Sequence, residues 1–261
     1  MYILKRELLS QKIVILIWGL AIGGMVAIAL LIYPQMQEQM DQINDMMASM
    51  GGFTKAFGMD QLDFNNITNY YALECGNMLA IGGAFFAAII GISALMKEER
   101  DRTAEFLLTH PISRAKVITE KLISIVVIIS IVNAVIFVLG TVSMLIVGGE
   151  FSWSEILLFH LAYYLMQLEI AGICFGISAF ISKFGAGIGI GIAAVFYFMN
   201  IISNITSDAK VLKYITPFGY ADGSHIVNSG SIDVKYLLTG CCFMIAGIVV
   251  AYIKYMKKDI R

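Results

Sequence analysis

Few residues in this 261-residue chain have types and spacings that could do chemistry. One is Glu169, the 14th of the 27 residues in the apolar stretch 156–182. A charge at a bilayer centre costs roughly 2.5–3.5 kcal/mol on insertion scales, so such a carboxyl should turn away from lipid. Ala162, Leu165, Glu169, Gly172, Gly176 and Ala179 follow three–four spacing and share one helical face. Four of these six are Gly or Ala, which suits a face packed on another helix. Asn133 lies at matching depth in the preceding apolar stretch and is the expected partner. Glu169 and Asn133 are therefore read in two ways: as neutral, hydrogen-bonded structural groups, or as polar groups lining a translocation path. Other chemistry finds no pattern here. No Gly-Lys dipeptide exists, so there is no phosphate-cradling G-x-x-x-x-G-K-[ST] loop. There is no H-E-x-x-H and no G-x-S-x-G. His110, His160 and His225 lie in three separate segments, and Cys75, Cys174, Cys241 and Cys242 form no C-x-x-C pair.

The elements that must position these groups follow from composition. Hydrophobic types make up 59% and charged types 14% of the chain, against roughly 45–50% and about 25% in soluble domains. The charges cluster between six apolar runs, at 13–33, 76–96, 122–147, 156–182, 184–203 and 236–253. Each is long enough to cross a bilayer, and in lipid the backbone must satisfy itself as a helix. The expected fold is an all-α polytopic membrane protein with six transmembrane helices, forming a single transmembrane domain over 1–261. The first run is 21 residues, longer than the roughly 7–15 of a signal-peptide core, and is read as a retained span. Of the 18 Lys and Arg, 14 fall in the N-terminal segment, the loop after the second run, the turn after the fourth and the C-terminal tail. The positive-inside rule then places both termini in the cytoplasm. The net charge of −1 offers no basic surface for nucleic acid.

Two longer segments face the other side. In 34–75, Met36, Met40, Ile43, Met47 and Met50 share one helical face, and Gly51-Gly52 is a plausible stop. The reading is an amphipathic cap on the helix ends, with an adaptable surface for substrate or partner as the alternative. The segment 204–235 carries Pro217 and a moderately apolar stretch, and fits either a re-entrant or an interfacial element.

The most informative stretch is 97–121, KEERDRTAEFLLTHPISRAKVITEK. It is too charged for lipid, yet its Ala104–Leu108 core is apolar enough to need a partner surface. Asp101 can cap a short helix that Pro111 ends, and Ser113 can cap the helix leading into the third span. The run Glu98-Glu99-Arg100, Thr103, Glu105-Phe106-Leu107-Leu108, Pro111-Ile112-Ser113-Arg114 and Lys121 resembles the signature of ABC-2 type exporter permeases. Lys5-Arg6-Glu7-Leu8, Lys12 and Trp18 resemble that family's cytoplasmic amphipathic helix, here 1–12, by which the chain enters the membrane. Lys55–Asp60 is similar to the outer loop of some members. One position departs: relatives usually have glycine where this chain has Arg102.

The resemblance implies a type V exporter-like bundle in the cytoplasmic membrane of a bacterial or archaeal cell. It makes 97–121 a coupling loop that docks on a separate ATPase subunit through Glu99, Thr103, Glu105, Phe106, Leu107, Leu108, Pro111, Ser113 and Arg114. ATP and Mg²⁺ would be bound by that subunit, with no cofactor in this chain. A second permease copy or sister permease, and membrane lipids, complete the implied partners. The alternatives are an ion- or proton-coupled secondary transporter and a non-transporting membrane sensor or immunity protein.

Overall fold

The computed structural model describes residues 2–58, 62–100, 113–183 and 185–257, and among these every regular element is helical. Six helices are long and apolar enough to span a membrane. The first is α1 (Tyr2–Met36), followed by two short helices, α2 (Met40–Ser49) and α3 (Gly52–Ala56). The second span, α4, comprises Ile67–Met78, a π turn at Leu79–Gly83 and Ala84–Arg100. Then come α5 (Arg114–Val147), α6 (Trp153–Ser178), α7 (Gly185–Ile205), the short α8 (Gly223–Ser229) and the last span α9 (Val234–Lys257). Six spans bring both chain ends to one end of the bundle, called basal here; the opposite end is apical.

The spans start and stop where capping chemistry allows, which differs from the edges of the apolar runs. The second run begins at Gly76, but α4 begins at Ile67 because Asn66 caps it, its side chain accepting from Thr68 N at 2.8 Å. Thr68 and Asn69 interrupt the hydropathy, yet they are buried inside the apical end of the bundle. At 34 residues α5 is about 51 Å long, against roughly 30 Å of hydrocarbon, so its charged first turns project at the basal end. Residues 1–12 fall mostly within the same unbroken helix as the first run.

Small residues set the helix contacts, as they must where apolar burial gives no drive between helices. Gly19 and Gly23 of α1 meet Val135 and Leu139 of α5. Gly91 of α4 lies against the Ala171 backbone of α6, and Gly185 and Gly189 of α7 lie against α4 at Met96 and Ala88. Gly176 of α6 and Gly247 of α9 bring two backbones together. The central α6 is the most enclosed span, whereas α7 and α9 leave most of their surfaces open.

The apical end carries a folded cap. On α2, Met40 is buried, and Ile43 and Met47 pack on the core together with Met36. Met50 lies past the end of α2 and is exposed, and Gly51 turns the chain at φ 37°. Tyr33 donates to the Asn65 carbonyl at 2.8 Å, and Asn44 accepts from Phe64 N at 3.2 Å, fastening the cap to α1. The second apical segment doubles back. A 3₁₀ helix at Ser207–Tyr214 packs along α7, and the Thr216 hydroxyl then donates to the Phe196 carbonyl at 2.8 Å. Phe196 lies nine residues before the end of α7, about 13 Å down the helix. The chain returns through buried Phe218 and Tyr220 to α8.

Candidate functional site

Two sets of polar residues stand out, one at the base and one inside the bundle. The first few turns of α5 form a hub. Ser113 caps the helix, accepting from Lys116 N at 3.3 Å. Arg114 Nη1 donates to the Met256 carbonyl at the end of α9 at 3.2 Å, and the Thr119 hydroxyl meets that of Tyr252 at 2.8 Å. Glu120 Oε2 accepts from Ile3 N at 2.9 Å and Leu4 N at 3.2 Å. That satisfies donors the first turn of α1 cannot pair internally, and sets an anion at the positive end of the helix. Lys121 is 1% exposed, donates to the Ala94 carbonyl of α4 at 2.6 Å and lies 3.3 Å from Glu7 Oε1 of α1. Lys97, at the basal end of α4, lies 3.6 Å from Glu7 Oε2 and donates to Ser10 Oγ at 3.0 Å.

Lys97 and Lys121 stand on the two sides of 101–112, and both bond the carboxylate of Glu7. Sheltered ion pairs of this kind are costly to break from one side, because the remaining charge keeps its desolvation penalty. The two flanks of the loop are thus tied to α1, and its exit is tied to α9 as well. Of the loop residues singled out from the sequence, Thr103, Glu105, Phe106, Leu107, Leu108 and Pro111 lie outside the described residues. Glu99 lies in the last turn of α4, its side chain also outside them, while Ser113 and Arg114 belong to the hub.

Inside the bundle, Glu169 is 1% exposed and faces α9, as the small-residue face of α6 predicts. Its Oε1 accepts from Cys241 Sγ at 3.5 Å, and its carboxyl lies so close to Gly240 that no side chain would fit there. The Tyr220 hydroxyl lies beside it, though neither Oε2 nor Tyr220 Oη completes a well-formed hydrogen bond. The expected pairing with Asn133 does not occur. Asn133 Nδ2 instead donates to Gln167 Oε1 at 2.7 Å. Residues 167 and 169 are two apart, roughly 200° around the helix, so they face opposite sides of α6. Matching depth identified the right level of the bundle and the wrong face.

Gln167 is fully buried and lodges against Gly83, inside the π turn of α4. A second buried pair joins the Tyr71 hydroxyl to His160 Nε2 at 2.6 Å, with Phe137 and Phe159 packed edge-on to the imidazole. Gln167 and His160 are seven residues apart, two helical turns, so they share a face. That spacing could have revealed both in the sequence, where the lone carboxylate drew the attention instead.

An all-helical bundle of six apolar spans, with polar contacts gathered at its base and buried between helices, defines a polytopic membrane protein. Its family follows from comparison. The model for the ABC-2 family transporter protein matches residues 4–260, so the chain belongs to the ABC-2 family of transporter proteins and is a membrane permease. No curated protein matches it.

Proposed function

We propose that this permease is the membrane subunit of an ATP-driven exporter, with both termini and the loop 97–121 in the cytoplasm. The loop docks on a separate ATPase subunit through Glu99, Thr103, Glu105, Phe106, Leu107, Leu108, Pro111, Ser113 and Arg114, and ATP and Mg²⁺ act there. The path forms with a second permease, either a copy of this chain or a sister chain. The observation that carries this reading is the double tie of Glu7 to Lys97 and Lys121, one on each side of the loop. A push on the loop therefore moves the basal ends of α1, α4 and α5 together, and through Arg114 also α9. Family membership supports the pairing with an ABC ATPase, and the 14-of-18 distribution of Lys and Arg supports the orientation.

The test replaces Phe106 and Leu107 with Asp. Placing a charge on a docked apolar surface is costly, so the variant should insert and fold while ATPase association drops. Unchanged association and transport would remove the loop from the docking role.

A further inference from the structure

Beneath the apical cap lies a partly open cavity of about 50 Å³ between α4, α6, α7 and the segment that returns from α7. It is separate from the Glu169 contact and from the basal hub. A water needs roughly 10–15 Å³ of such space, so the cavity holds a few waters or a group of a few heavy atoms. Its wall has a consistent chemistry. Asp222 supplies the only formal charge among the described lining residues, the rings of Tyr163, Tyr197 and Phe218 line it, and Asn77 and Asn200 add amides. No Lys or Arg is among the described lining residues.

Asp222 does two things at once. Its Oδ1 caps α8, accepting from Ser224 N at 3.1 Å, Ser224 Oγ at 2.8 Å and His225 N at 3.3 Å. Its Oδ2 has no hydrogen bond among the described residues, and the carboxylate abuts Gly58 at the roof. Gly58 has φ +67°, and a Cβ there would fall 3.2 Å from Oδ1, so the cap closes over the carboxylate only with glycine. With its Oδ2 free of hydrogen bonds and no cationic side chain among the described lining residues, this carboxylate favours a cation through charge. The surroundings agree. The apical segments, with the apical first turns of α4, α6 and α9, carry eleven Asp and Glu against four Lys, a field that concentrates cations at this end.

We infer that this cavity is a binding site for the ammonium head of a small organic cation, held by Asp222 with Tyr163, Tyr197 and Phe218 around it. The site goes beyond the permease reading, and its occupancy can be measured without an ATPase or transport.

The experiment titrates methylammonium chloride into the purified full chain in nanodiscs, followed by ligand-observed saturation-transfer NMR. Methanol serves as the neutral isostere and potassium chloride holds ionic strength. Methylammonium should saturate a site that methanol does not fill. Asp222→Asn removes the charge but keeps an N-cap residue of equal quality, so α8 should survive. Affinity in this variant should fall at least about tenfold, the loss of a charged hydrogen bond. Tyr197→Leu, on a different element, should also weaken binding, which covers the case in which Asp222→Asn misfolds. No saturable methylammonium signal, equal binding by both variants and the parent, or equal displacement by potassium would overturn the inference and leave a hydrated structural cavity.

Discussion

Replacing Gly176 with alanine should loosen the contact between α6 and α9, whereas the same change at Gly187 should not. A Cβ on Gly176 would fall 2.7 Å from Gly247 Cα and O, and one on Gly247 would fall 2.7 Å from Gly172 O. Carbon contacts relax only near 3.5–4.0 Å, so the two helices must part by about 1 Å. No flexible side chain can move aside, because the atoms struck are backbone. Overpacking of this kind costs about 1–3 kcal/mol. Alanine's helix propensity returns about 1 kcal/mol. The net loss at Gly176 is therefore about 0–2 kcal/mol. Gly187 and Gly191 have nothing within 4 Å of a Cβ, so alanine there should gain up to about 1 kcal/mol. One separation of the helices accommodates both new methyls. Gly176→Ala with Gly247→Ala should thus cost less than the two singles summed. Unfolding of the purified chain in mixed micelles, titrated with sodium dodecyl sulfate, measures the series. Equal stability changes for Gly176→Ala and Gly187→Ala would refute the packing argument.

Three further outcomes are expected. Lys121→Met leaves Glu7 with Lys97 alone, so it should destabilise by about 1–3 kcal/mol; adding Glu7→Gln should recover part of the loss, and a strictly additive double mutant would show that the pair does not interact. Glu169→Gln keeps the shape beside Gly240, and Glu169 is sealed in the α6–α9 contact, so expression, assembly and transport should persist, while Glu169→Leu should cost about 1–3 kcal/mol. Loss of transport by an assembled Glu169→Gln protein would instead place this carboxyl in the path. Single cysteines at Asp45 and Arg102, in a cysteine-free background, test orientation: an impermeant thiol reagent on intact cells should label the first and spare the second, and the reverse labelling would invert the topology.

The six spans were legible because each contains an apolar run of at least 18 residues, about what a helix needs to cross the bilayer core. The methionine face of α2 was legible from its spacing. The start of α5 was legible too, from the capping serine at 113. The start of α4, nine residues before the apolar run, was not, since Asn66 sets it by capping, and Thr68 and Asn69 are buried against other helices rather than against lipid. Nor could spacing sort the glycines. Gly185 and Gly189 touch α4, while Gly187 and Gly191, with the same four-residue interval, touch nothing. The buried polar pairs show the same limit. Glu169 was found because a carboxylate in an apolar run is rare, but its surroundings depend on helix rotation, which depth alone does not give. Glu7 looked like one more charge near the chain start. Only the meeting of α1, α4 and α5 places it between two lysines from either side of the loop.

The central claim is that this permease works with a separate ATPase. The most direct measurement is purification of the affinity-tagged chain from its native membrane in mild detergent, with subunit stoichiometry by native mass spectrometry. The account predicts an ABC ATPase subunit at one copy per permease chain, released by Phe106→Asp with Leu107→Asp. A stable, correctly folded permease that carries no nucleotide-binding subunit and still transports would contradict it.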